Sequence, residues 1–438
     1  MYQFSGKLKS IAIALMLIGA LGIGYGFFVG NSKTIDDAKE VIAQHDAHAE
    51  ETATTHTETT HEAVDAHADN TDHQAHEEHV LHQLKNRPWA AFFVSLFFFF
   101  MIALLIFAFY AIQIAASAGW SVVLFRVMEA LSVNLIPLGI LMFLFLLAAG
   151  MGLNHFYPWM HAEGDAIIEG KKFWLNTPGW LIRSAVYIIG FIFFRFIILK
   201  KSRQQDDATD RVAHEKGFKY VIFFLAFFML AESALSWDWI MSLDPHWFSS
   251  LFGWYIFASA IVSAITVIAM VTMYLKSKGY LEFVNDSHLH DLAKYMFGFS
   301  IFWTYLWFAQ YMLIWYSNMP EETTYYMQRI QDYNFIFYLM IPLNFVLPTV
   351  ILMDTAWKRV YPIVILVGLI ILVGHYIDMF VMIMPSSVGA QWSFGIPEIG
   401  ALLFFIGLFI FCGFRSLAKQ PLLAKGNPYL EESKHYHY

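Results

Sequence analysis

Ten long apolar runs, separated by short polar joints, dominate the chain, at roughly residues 10–29, 89–116, 129–153, 178–199, 218–242, 248–275, 295–317, 334–354, 360–384 and 397–414. Each is about 18–28 residues long, the length an α-helix needs to cross a bilayer with some tilt. The runs are apolar all round rather than along one stripe, and none shows the alternation over about ten residues that marks a barrel strand. The pattern predicts an all-α integral membrane protein with about ten transmembrane helices. The first run, ahead of Lys33, reads as an uncleaved helix over residues 1–30, because no small-x-small site precedes the polar stretch. A polar insert follows at 31–86, then nine further spans over 87–416 and a tail at 417–438.

Loop charge orients the spans. With the N-terminus inside, Lys7, Lys9, Arg126, Lys200, Lys201, Arg203, Arg211, Lys216, Lys276, Lys278, Lys358, Arg359, Arg415, Lys419 and Lys425 all fall on the inner side. The opposite loops hold only Lys33, Lys39, Lys85, Arg87, Lys171, Lys172 and Arg329. This bias predicts both termini in the cytoplasm and the insert outside. Trp89, Trp174, Trp180, Trp247, Trp254, Tyr361 and Trp392 sit near span ends, where interfacial aromatics belong.

Composition agrees: 58% of the 438 residues are hydrophobic and 14% charged, against about a quarter charged in soluble domains. The net charge of −8 comes mainly from the insert and loops and does not point to nucleic acid. The single cysteine, Cys412, cannot hold an iron–sulfur cluster, form an intrachain disulfide or attach a c-type haem. Any redox chemistry must therefore use metal centres on partner chains. No P-loop, nucleophile elbow or dinucleotide fingerprint is present.

Charges left inside the runs cost about 2.5–3.5 kcal/mol each at mid-bilayer, so they mark candidate sites. Glu232 and Asp238 lie about 9 Å apart along the fifth span, near Trp237 and Trp239. Glu232 reads as a proton acceptor or a packing hydrogen bond, and Asp244, before Pro245, as a turn residue. His375 and Asp378 share one face of the ninth span at i, i+3, a spacing that lets a carboxylate orient an imidazole for proton transfer. Arg126 and Glu129 read as an ion pair or as the inner end of a proton path, with Asp354 at the inner end of the eighth span. Arg183 and Arg195 read as snorkelling cations, and Glu398 as a helix-start acid after Pro397.

At the outer edge, the segment Asn154-His155-Phe156-Tyr157-Pro158-Trp159-Met160-His161, with Trp237 and His246, reads as the border of a quinone head group or as an aromatic belt. The insert carries His45, His48, His56, His61, His67, His73, His76, His79 and His82. It reads first as a solvated segment, helical where it meets the second span, and otherwise as a docking surface or a zinc or copper binder. A dihaem site needs four axial histidines on facing helices, and only His375 lies deep in a span. Haem is therefore not expected in this chain, and no metal site is read from it.

Two segments carry a resemblance: Ser236-Trp237-Asp238-Trp239-Ile240-Met241-Ser242-Leu243-Asp244, and Ala309-Gln310-Tyr311-Met312-Leu313-Ile314-Trp315-Tyr316-Ser317-Asn318-Met319-Pro320-Glu321-Glu322. With the ten-span plan, they make spans two to ten similar to the second NrfD/PsrC-like membrane subunit of alternative complex III. The resemblance implies a core of two four-helix bundles, spans 2–5 and 6–9, in a bacterial inner membrane. It implies a quinol:cytochrome c oxidoreductase whose electrons pass through an iron–sulfur subunit and a multi-haem cytochrome c subunit, beside a homologous NrfD-like membrane subunit and membrane lipids. The paired membrane subunit is the better-supported site of quinol oxidation in that family. Glu232, Asp238, His375 and Asp378 are then the residues expected to move protons, with Glu129 and Asp354 on an inner half-path and no cofactor but quinone or quinol near this chain. A secondary transporter and a purely structural anchor are the rival readings; no matched pair of interrupted spans stands out for the former.

Overall fold

A computed structural model describes residues 2–43, 70–162, 164–208 and 210–437. The protein is an all-α, multi-pass membrane protein with ten helices long and apolar enough to cross a bilayer, and no strand among the described residues. They are α1 Gly6–Ser32, α2 Asn70–Ala115, α3 Gly119–Gly150, α4 Thr177–Asp206, α5 Val212–Leu243, α6 Phe252–Ser277, α7 Asp286–Ser317, α8 Asn334–Met353, α9 Tyr361–Val388 and α10 Ile396–Leu417. Even the small departures follow from sequence. α7 starts earlier than its apolar run because Asn285 caps it, accepting from the Ser287 and His288 amides. α8 is interrupted by a π-turn at Pro342–Val346, between Pro342 and Pro348, where prolines withhold backbone donors.

α2 is the central pillar. Every side chain from Phe93 to Ala111 is buried, and the helix touches α1, α3, α5, α6, α9 and α10. Its run of Phe97, Phe98, Phe99 and Phe100 explains this placement: a helix apolar all round is most stable with protein or lipid on every side. On one side of it α2, α3, α4 and α5 close a ring of contacts, each touching the next; on the other, α6, α7, α8 and α9 do the same. Lipid-facing positions on the outside carry large apolar groups such as Ile182, Phe196, Leu230, Leu313 and Leu366.

α1 and α10 pack as a pair through small residues. A Cβ on Gly400 would lie 2.8 Å from Gly22 Cα, and one on Gly407 would lie 2.6 Å from the Ala12 carbonyl oxygen. Such close backbone approach is the usual way helices associate where lipid removes the hydrophobic incentive. Both ends of the described chain lie at one face: Tyr2 packs on Tyr280 and Phe414, and Tyr436 bonds Asp291 at the start of α7. We call this the terminal face and the opposite one the far face.

Of the polar insert, residues 70–86 extend α2 beyond the far face, so the helix begins well before the apolar run. His45, His48, His56, His61 and His67 lie outside the described residues.

Replacing Gly400 with Val should force α1 and α10 apart and lower stability by about 1–3 kcal/mol, read as a lower Tm in detergent. Gly24→Val, where a Cβ meets nothing within 4 Å, is the control and should leave the α1–α10 seam intact.

Candidate functional site

The most enclosed polar cluster sits in the second ring. Asp378 is 17 residues into α9, about 25 Å from its terminal-face end and about 15 Å from its far-face end. Its side chain is fully buried, and its carboxylate accepts from the Tyr255 hydroxyl, from Ser259 Oγ at 2.8 Å and from Trp303 Nε1 at 2.8 Å. Tyr255 and Ser259 reach it from one face of α6, at i and i+4, and Trp303 from α7. Ser259 Oγ also lies 2.9 Å from His375 Nδ1, so one hydroxyl bridges imidazole and carboxylate, whose nearest atoms are 3.6 Å apart. The i, i+3 spacing does bring His375 and Asp378 together. The bridge between them comes from a helix more than a hundred residues earlier.

Unsatisfied polar groups lie in the neighbourhood of both ends of this cluster. His375 Nε2 has no partner, and neither amide atom of the fully buried Asn344 has one. Asn344 belongs to the π-turn of α8 and presses against Gly374, where a Cβ would collide with its Oδ1. Towards the far face, Tyr255 lines a small cavity of about 10 Å³ with Gln310, Tyr326 and Arg329, and Gln310 Oε1 is unpaired there. That volume is close to what one water needs. Arg329, buried under Tyr325, donates to the carbonyls of Tyr325, Val381 and Met382 at 2.7–3.2 Å. Sequence reading took Arg329 for a loop cation and did not single out Tyr255, Ser259, Trp303 or Asn344. The only signal was the Tyr255/Ser259 spacing, which is indistinguishable from ordinary core packing.

In the first ring, Asp238 is held differently. It accepts from Arg183 through Nε at 2.9 Å and Nη2 at 2.8 Å, from Trp174 Nε1 at 2.7 Å and from Tyr187 at 3.0 Å. The guanidinium stacks over the Trp174 ring at 4.2 Å. The carboxylate thus ties α5 to α4 and to the joint before α4, and Arg183 is an ion-pair partner rather than a snorkelling cation. Glu232, nearly two turns earlier, is buried, and among the described residues its side chain has Ser236 Oγ as its hydrogen-bonding neighbour, at 3.4 Å. The structure does not bring Glu232 and Asp238 into one network.

Near the terminal face, Glu129 is buried and accepts from Tyr110 at 2.8 Å, Ser202 at 2.6 Å and Arg126 at 2.5 Å. Arg126 also pairs with Asp206. Arg195, a second expected snorkeller, is buried and donates to Ser132 Oγ and the Glu129 carbonyl. A cavity of about 40 Å³ lined by Tyr110, Ser202, Asp206 and His214 adjoins this network. Asp354 takes no part in it: exposed just past α8, it caps the turn by accepting from the Ala356 amide at 2.7 Å.

The far-face candidates fall into separate groups. His155 stacks between His82 at 4.0 Å and His161 at 4.4 Å between ring centres. His246 bonds Asp165 at 2.6 Å, and the indole nitrogen of Trp237 is buried without a partner. Among the described residues no hydrogen bond or ring contact joins these groups to one another. Glu398 does cap its helix, accepting from the Gly395 amide, and it also pairs with Arg87 at 2.8 Å. Cys412 lies alone in α10, and no cluster of three or more His, Cys, Asp or Glu suited to a metal ion occurs among the described residues. In comparisons with known proteins, no family model and no curated protein matches the chain.

Arg183→Leu should leave Asp238 buried without its cation and cost about 3–5 kcal/mol, seen as a lower Tm; Asp238→Ala added to it should recover part of the loss. The His stack should respond to pH. Partial burial, then neighbouring His82, His161 and Lys85, holds the His155 imidazole below its ordinary value. The neutral form is thus favoured in the fold, so its contribution is complete above about pH 6.5 and is lost as pH falls. Protection of the amides over residues 154–161, corrected for the intrinsic pH dependence of exchange, should fall as pH drops below about 6.5, and His155→Gln should flatten that dependence.

Proposed function

We propose that this chain is a proton-handling membrane subunit of a respiratory quinol:cytochrome c oxidoreductase of the alternative complex III type, in a bacterial inner membrane with both termini in the cytoplasm. The observation that carries the reading is the His375–Ser259–Asp378–Tyr255 relay, sealed inside the membrane between unsatisfied polar groups. An imidazole and a carboxylate bridged by one hydroxyl can pass a proton by exchanging donor and acceptor roles, without either side chain leaving its helix. Tyr255 then hands it to the small cavity at Gln310, and the far face follows. The orphaned Nε2 of His375 and the orphaned Asn344 amide favour a water between α8 and α9 as the inner continuation, since buried polar atoms without protein partners are where ordered water resides. Cationic loops on the terminal face support the cytoplasmic orientation.

The first ring supplies a separate inner network, Arg126–Glu129–Asp206 with Tyr110 and Ser202, beside its own cavity. In this reading it is a proton-uptake half-path, and Asp238 with Arg183 is an anchor. Asp354 is given no role. Quinol oxidation is assigned to the homologous membrane subunit, and electron transfer to iron–sulfur and multi-haem cytochrome c partners. No step of the chemistry runs through a quinone held by this chain.

The test is gentle purification of the native assembly, followed by Asp378→Asn and His375→Leu. The expected outcome is co-purifying iron–sulfur and multi-haem cytochrome c subunits, with turnover and proton release reduced about tenfold or more in assembled variants. Isolation of the chain without haem-bearing partners, or full proton release in both variants, would overturn the reading. Glu129→Gln separates pumping from simple release: it should reduce proton uptake from the terminal face while leaving the far-face relay intact.

A further inference from the structure

α10 leans on α1, α2 and α3 but stands off from α9. The gap is a cleft of about 600 Å³ with α9 and α10 as walls and α2 and α6 as floor. Phe98, Val267, Leu369, Leu402, Ile406 and Phe409 are among its lining residues. From Glu398 to Phe414 the α10 wall runs about 24 Å, most of the roughly 30 Å hydrocarbon depth of a bilayer. A space this large and apolar at that depth is filled by hydrocarbon, because water there would have no polar partners.

The two polar groups on its wall are already engaged. The Tyr376 hydroxyl bonds Ser95 Oγ at 2.9 Å, and Glu398 accepts from Arg87 and from the Gly395 amide. A ligand with a buried carbonyl or hydroxyl would find no spare hydrogen-bonding group, which argues against a quinone head inside the cleft. The far-face mouth is different. Arg87 sits there with its side chain 28% exposed. Its Nε and Nη2 hold Glu398 and Ser393, and Nη1 takes part in none of these bonds. A guanidinium presented at the head-group level above an apolar cleft matches a phosphate above an acyl chain.

We propose that this cleft binds one anionic phospholipid of the far-face leaflet, its acyl chain between α9 and α10 and its phosphate at Arg87 Nη1. The lipid completes a wall that the protein leaves open, since α10 is fixed to α1 by the glycine seam and cannot close on α9. Ser95 and Tyr376 lie behind that wall, so the acyl chain also keeps water from the α2–α9 contact. This assignment is independent of the proton reading and holds or fails without it.

The experiment uses the protein purified from its membrane in mild detergent. Leu402→Trp and Leu369→Trp fill the cleft from opposite walls, and each is compared with the native protein by bound phospholipid per chain and by spin-labelled phosphatidylglycerol in reconstituted vesicles. Each plug should remove one phospholipid per chain and the motionally restricted part of the spin-label signal. Arg87→Gln should keep the chain bound but reduce the preference for phosphatidylglycerol over phosphatidylcholine about fivefold. A plug that unfolds, seen as loss of the monodisperse peak, is replaced by its counterpart on the other wall. An unchanged lipid count in folded plugs would overturn the proposal, as would loss of an isoprenoid quinone in place of phospholipid. An unaltered lipid preference in Arg87→Gln would overturn the placement of the phosphate.

Discussion

A carboxylate inside a bilayer must find its hydrogen-bond donors within the protein, because neither lipid nor water supplies them there. This constraint organises the polar interior. α2 meets it by carrying no charge over its buried length, and so can serve as the pillar that all six of its neighbours touch. The charges are displaced to either side of it, into rings of four helices, and Asp238, Asp378 and Glu129 collect donors from other helices, whereas Glu232 has Ser236 of its own helix. Asp238 draws on α4 and the joint before it; Asp378 draws on α6 and α7.

The two aspartates solve the same problem with different chemistry. Asp238 receives a bidentate guanidinium, which fixes the geometry of both partners. Asp378 receives a phenol, an alcohol and an indole, all neutral, with an imidazole one hydroxyl away. The first arrangement builds a clamp between helices. The second leaves a protonatable pair in contact with polar atoms that have no other partner. Glu129 is intermediate: it has an arginine, but that arginine is shared with Asp206, and a cavity lies alongside.

Much of the architecture was legible because hydropathy is local: ten apolar runs became ten helices, with the largest shifts where a cap or continuing helix lay outside the apolar stretch, as at Asn285 and Asn70, and small retreats inside it at Phe252 and Gly150. The pairing of His375 with Asp378 was legible for the same reason, being one turn of one helix. Glu232 and Asp238 looked equally close along α5, yet they point to different surroundings. What separates them is Arg183, more than fifty residues away, and no periodicity within α5 carries that information. Arg183 and Arg195 read as snorkelling cations because position along a span reveals depth but not azimuth; the packing of α4 turns both inward. Asp354 shows the reverse case, a carboxyl at a span end whose side chain turns back on its own backbone. His155 and His161 lie six residues apart in one segment and do stack, but their third partner, His82, comes from a helix extension hidden in a polar insert.

The glycine seam and the lipid-facing cleft are consequences of one another. Packing α10 against α1 through Gly22 and Gly400 brings the two backbones close enough that α10 belongs to α1 more than to the core. With α10 held there, its other face cannot also reach α9, and the large side chains lining that face have only hydrocarbon to meet. A bulkier seam would push α10 outward and widen the gap; a seam on the opposite face would close it. The position of three or four glycines therefore decides whether the second ring is walled by protein or by lipid, and with it how dry the α2–α9 contact beside Tyr376 remains.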